Sequence, residues 1–141
     1  RMKRIGFIFQ SFNLIPVLTA LENAEFVLML QKAPLETRRD RLNALFEELG
    51  ISGLENRKPM ELSGGQQQRV AVARAMAPEP AVVLADEPTA NPDSESATDL
   101  LHLMRRLNHE QGTTFLFSSH DPLVIEHADR VILLKDGRIE E

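Results

Sequence analysis

Apolar residues along this chain follow two rhythms. Ile5-Gly6-Phe7-Ile8-Phe9, Ala81-Val82-Val83-Leu84-Ala85, Thr113-Thr114-Phe115-Leu116-Phe117-Ser118-Ser119 and Arg130-Val131-Ile132-Leu133-Leu134 are short runs rich in β-branched and aromatic residues, which predicts strands. The run at 81–85 is apolar throughout, so a strand covered on both faces of a parallel sheet is expected there. Between these runs the apolar spacing becomes helical. Thr19 is the expected N-cap of a helix over 20–30, and acid in its first turn suits the helix dipole. Pro34 opens a second helix, with Leu35, Leu42, Leu45, Phe46 and Leu49 on one face and Gly50 closing it. A third is expected from Gly64 to about Ala77. A fourth runs from Asp93 or Ser94 to about Glu110, carrying the stripe Leu100, Leu101, Leu103, Met104 and Leu107. A short fifth lies near 122–127.

Strands alternating with helices describe an α/β sheet with a helical insertion at residues 12–77, the remainder being 1–11 and 78–141. Hydrophobic content of 43% supports a single real core in 141 residues. The formal charge of −5 gives no basis for a nucleic-acid partner. Without cysteine there is neither a disulfide framework nor a thiolate metal site. No apolar run approaches the ~20 residues of a membrane span and no signal peptide opens the chain, so a cytoplasmic location is expected.

Polar residues then mark the chemistry. Gln10, Asp86-Glu87 and His120 each follow a predicted strand, and ligands of α/β sheets sit beyond the carboxyl ends of strands. Asp86 is suited to hold Mg²⁺, Glu87 to orient or deprotonate an attacking water, and His120 to donate to a phosphate as charge develops. An Asp-Glu pair also serves as a solvated turn, and His120 before Asp121-Pro122 also serves as a cap. Ser63 can cap the third helix. Gly64 and Gly65 leave its tip without side chains, and a helix N-terminus attracts anions.

Leu62-Ser63-Gly64-Gly65-Gln66, continuing as Gln67-Gln68-Arg69-Val70-Ala71-Val72-Ala73-Arg74-Ala75, resembles the signature sequence of ATP-binding cassette (ABC) ATPases. The resemblance extends along essentially the whole chain. Val82 to Thr89 is similar to the Walker B strand with its catalytic glutamate. Ala90-Asn91-Pro92-Asp93 resembles the D-loop, His120 the switch histidine, and Phe9-Gln10 the Q-loop. The segments 10–16 and 18–23 are similar to the lipoprotein-releasing and macrolide-exporting branch.

The resemblance implies a P-loop NTPase-like fold using ATP and Mg²⁺. Asp86 and Gln10 would serve the metal, and Glu87 and His120 the catalysis. Ser63, Gly64, Gly65, Gln66, Gln10 and Asp93 would contact nucleotide. It also implies a second nucleotide-binding subunit packed head to tail, with the signature helix facing the γ-phosphate held by the other subunit. A transmembrane permease is the other implied partner, placing the chain peripherally on the inner face of the cell membrane.

Two departures stand out. Pro92 replaces the usual leucine of the D-loop, fixing φ and removing an N–H. No Gly-x-x-x-x-Gly-Lys-Ser/Thr occurs, although such a loop is the main ATP cradle in this chemistry. Arg1-Met2-Lys3-Arg4 reads as the tail of a loop. The chain is therefore expected to be an amino-terminally incomplete domain, lacking the P-loop and the base-stacking aromatic, and inactive alone. A non-enzymatic remnant that pairs with an intact subunit is the alternative. A DNA-repair or chromosome-type ATPase fits less well, because only short helices separate Gln10 from Leu62, with no sustained heptads.

Overall fold

The computed structural model describes residues 5–90 and 94–140. Strands β1 (Ile5–Ile8), β2 (Val82–Asp86) and β3 (Thr114–Ser118) form a parallel sheet in the order β1-β2-β3. Helices α1 (Ala20–Leu30), α2 (Leu35–Glu48) and α3 (Gly64–Met76) lie between β1 and β2 in sequence, with a 3₁₀ turn at Pro59–Glu61. Helix α4 (Ser94–Gln111) leads into β3, α5 (Pro122–His127) follows it, and β4 (Leu133–Lys135) pairs with β5 (Arg138–Glu140).

Local chemistry explains the boundaries. The Thr19 hydroxyl accepts from Glu22 N–H at 3.2 Å, and Glu22 Oε2 accepts from Thr19 N–H at 2.7 Å, closing a capping box on α1. Buried Asn23 binds both backbone groups of Ile15 and the carbonyls of Leu18 and Thr19, which fixes the chain entering that helix. Gly50, at φ +65°, ends α2, with Ile51 N–H returning to Phe46 O at 2.9 Å. Leu42, Leu45, Phe46 and Leu49 are buried as expected, but Leu35 is 49% exposed. It stands in the first turn of α2, before the face that meets the core.

One continuous core joins Ile8, Val83 and Ala85 of the sheet to Val72 and Met76 of α3, Leu42 and Phe46 of α2, and Leu103, Met104 and Leu107 of α4. The anticipated α4 stripe is buried throughout. Gly6 permits close approach of β1 to α3, since a Cβ there would stand 2.6 Å from the Ala75 carbonyl oxygen.

Two expectations are corrected. Among the described residues the sheet is covered on one face only: Ile5, Phe7 and Leu116 remain 45%, 48% and 55% exposed, because the helices pack on the side of Gly6, Ile8, Val83 and Ala85. The final strand is not part of this sheet and does not span 130–134. Asp136 and Gly137, at φ +49° and +75°, form a two-residue hairpin turn, so β4 pairs locally with β5.

Candidate functional site

The strand ends converge. Parallel register places Asp86 opposite Ser118, and Glu87 N–H donates to Ser118 O at 2.9 Å. His120 Nδ1 lies 2.7 Å from Glu87 Oε1, and the Ser119 hydroxyl donates to Glu87 Oε2 at 2.8 Å. Both carboxylate oxygens are thus engaged from one strand end. Glu87 itself takes φ +44°, a region unfavourable for a residue with a Cβ. The turn that follows, with Ala90 N–H on Glu87 O at 3.2 Å, holds it there.

The Ser119 hydroxyl, then the His120 ring, keep the Glu87 carboxyl below its usual 4.5, so it is ionised at neutral pH. A carboxylate only accepts; His120 Nδ1 therefore carries the proton in this pairing. The His120 ring is otherwise almost fully exposed, leaving Nε2 toward solvent. Asp121, and not His120, caps α5, accepting from Leu123 N–H at 2.9 Å. Its second oxygen accepts from the hydroxyl of buried Thr89 at 2.7 Å, which ties the segment after β2 to the segment after β3. The Thr89 hydroxyl and the Leu123 N–H hold Asp121 below its usual 3.8. Ser119, Thr89 and Asp121 were not marked as site residues by the sequence; a hydroxyl or acid beside each marked residue was the available signal.

The helix tip is open. The Ser63 hydroxyl accepts from Gln66 N–H at 3.2 Å and Gln66 Oε1 from Ser63 N–H at 2.9 Å. Ser63 and Gly64 are exposed, and nothing lies within 4 Å of where a Gly64 Cβ would stand. N–H groups of the first helical positions have no partner within a helix. No acid occupies this first turn, whereas α1 and α2 carry Glu22 and Glu36 there. The dipole at the tip is therefore not neutralised by an acid of its own first turn. Deeper in α3, Gln68 Nε2 donates to the Pro88 carbonyl at 3.2 Å, linking the glycine-led helix to the turn after Glu87.

Arg74 of α3 donates to Phe12 O and Asn13 O, each at 2.6 Å. Those two residues hold φ of +60° and +49°, and the guanidinium fork fixes the turn that contains them. Burial lowers the Arg74 pKa, and an arginine remains charged there. Gln10 lies exposed in the turn after β1, which ends at Ile8 rather than continuing to Gln10. Asp93, with Asn91 and Pro92, lies outside the described residues.

Asp86 is an exposed carboxylate at the end of β2. Among the described residues no group of three or more His, Cys, Asp or Glu is placed to hold a metal. One carboxylate with an amide oxygen still suits Mg²⁺, which keeps several waters and binds through one or two carboxylates plus phosphate oxygens. No helix among the described residues is long and apolar enough to cross a membrane.

A family model described as ABC transporter matches residues 1–90. An uncharacterized ABC transporter ATP-binding protein of Methanocaldococcus jannaschii, MJ0796, is 46% identical over 99% of this chain and 61% of its own length. The lipoprotein-releasing system ATP-binding protein LolD 1 of Rhodopseudomonas palustris is 45% identical over 96% of this chain and 60% of its own. The solved dimer of MJ0796 in a post-hydrolysis state, bound to ADP and Pi, superposes with a TM-score of 0.86 over 100% of this chain and 62% of that one. The chain thus spans about 60% of the length of the curated relatives it matches.

Proposed function

The chain belongs to the ABC transporter family, and from that premise we propose that it is the signature- and Walker B-bearing part of an ATP-hydrolysing subunit that drives a membrane permease. The pairing of Glu87 with His120 at 2.7 Å, on the sheet edge carrying Asp86, supports this reading most directly. In this reading Glu87, ionised and held by Ser119, accepts a hydrogen bond from the attacking water once His120 turns away. His120 then offers its ring N–H to the γ-phosphate as negative charge builds. Asp86 and Gln10 would hold Mg²⁺, which supplies positive charge to the phosphate oxygens when bound.

Ser63, Gly64, Gly65 and Gln66 present the open tip of α3 to the terminal phosphate held by a second subunit packed head to tail. Asp93 would lie at the same junction. The dimeric MJ0796 cassette supports this assembly by analogy, and kinship with LolD 1 favours lipoprotein release or export as the work performed. Such a subunit sits on the inner face of the membrane.

No Gly-x-x-x-x-Gly-Lys-Ser/Thr occurs in these 141 residues, so the chain alone should bind ATP weakly and not turn it over. Phosphate release from Mg²⁺-ATP by the purified chain measures this directly. Background rates support the reading; steady release abolished by Glu87→Gln would refute it.

A further inference from the structure

We propose that His102 on α4 and His127 at the end of α5 form a binding site for a borderline divalent transition metal ion, of the Zn²⁺ or Ni²⁺ class. Their Nε2 atoms face each other at 3.4 Å, with ring centroids 5.3 Å apart and planes inclined by 51°. That separation is long for a hydrogen bond from N–H, which clusters near about 2.9–3.0 Å. Two nitrogens bonded to one Zn²⁺ at about 2.0–2.1 Å, and subtending the tetrahedral angle, stand about 3.3–3.4 Å apart. The gap between the rings is the span of a shared ion.

The tautomer is set for it. His127 Nδ1 is 2.8 Å from the Leu123 carbonyl oxygen, and a carbonyl only accepts. Nδ1 therefore keeps its proton, which leaves Nε2 as the nitrogen able to offer a lone pair on the side of His102. An imidazole N–H held by a backbone carbonyl is the usual support behind a metal-bound histidine. The nearby cation Arg105, three residues beyond His102, is paired with Asp129 at 3.7 Å. His102 is exposed and His127 half-buried, so water can complete the coordination. Imidazole favours these ions over Mg²⁺, which takes oxygen ligands, so the pair differs in chemistry from Asp86. An ion here would bridge α4 and α5, the helix capped by Asp121.

Calorimetric titration of the chain with Ni²⁺, repeated with Zn²⁺, tests the site. One equivalent should bind, with the modest affinity of a two-histidine site. His102→Gln should weaken binding roughly tenfold or more, while leaving the His127–Leu123 hydrogen bond in place. His109→Gln should leave binding unchanged. In NMR spectra, substoichiometric Ni²⁺ should broaden the His102 and His127 ring signals before those of His109 and His120. Unaltered affinity in His102→Gln, or prior broadening at His109 or His120, would overturn the proposal.

Discussion

Two hydrogen bonds decide how Glu87 titrates, and the Ser119 hydroxyl is the stronger influence, ahead of the His120 ring. Asp121 is governed likewise by Thr89 and by the Leu123 N–H. In both, the folded pKa lies below the unfolded one, so the folded state binds protons more weakly. Their stabilising contribution is therefore fully present above the ordinary values of 4.5 and 3.8. It disappears as pH falls through the depressed folded values. Carbon-detected NMR titration should find both midpoints below those figures. Ser119→Ala should move the Glu87 midpoint upward and leave Asp121 still depressed by Thr89; an unmoved Glu87 midpoint would contradict the assignment. At this scale the sequence was partly legible. Asp86, Glu87 and His120 could be marked because each follows an apolar run at a strand end. Thr89 and Ser119 stood close to marked residues, but a nearby hydroxyl shows its use only when parallel pairing sets one loop against the other.

Helix α3 organises the elements around it, through Gln68 on the Pro88 carbonyl and Arg74 on those of Phe12 and Asn13. Lysine at position 74 keeps the charge but offers a compact ammonium where a planar fork now spans two carbonyls. Arg74→Lys should therefore cost about 1–3 kcal/mol and speed amide exchange at residues 12–14. An unchanged melting temperature with unchanged exchange would show that the turn is held by its own backbone bonds. The helices themselves were legible, since capping residues and a buried stripe such as Leu100 to Leu107 are local signals. The register of loop on helix was not. Nothing near Arg74 in sequence indicates that its partners lie 61 and 62 residues away, and the positive φ of Phe12 and Asn13 carries no glycine to announce it. The terminal hairpin misled for a related reason. Asp136-Gly137 marks a turn in the sequence, but Val131 to Leu134 has strand composition, and the pairing of Leu133 with Glu140 is what shows the final strand folding back locally instead of joining the parallel sheet.

Across the whole molecule, burial is uneven. The register aligns Phe7, Leu84 and Leu116 in one row over all three parallel strands. The outer two are about half exposed, and Phe9 stacks beside Phe7 with ring centroids 6.1 Å apart. Parallel sheets ordinarily have both faces covered, and a contiguous apolar patch on a soluble chain drives association. A net charge of −5 spread over the surface opposes this only weakly in ordinary salt. The isolated chain should therefore associate as its concentration rises into the micromolar range and above. Light scattering over a dilution series measures it. Leu116→Lys separates this cause from poor folding: at a half-exposed position facing away from the core, the change should alter stability by no more than about 0.5 kcal/mol. The ammonium would meanwhile oppose burial of the patch against another chain. Association that falls while the thermal transition stays in place locates the contact on this face. Association unaffected by Leu116→Lys, or a parent chain that is monomeric with one sharp transition, would mean that the uncovered row does not govern the behaviour of the molecule in solution.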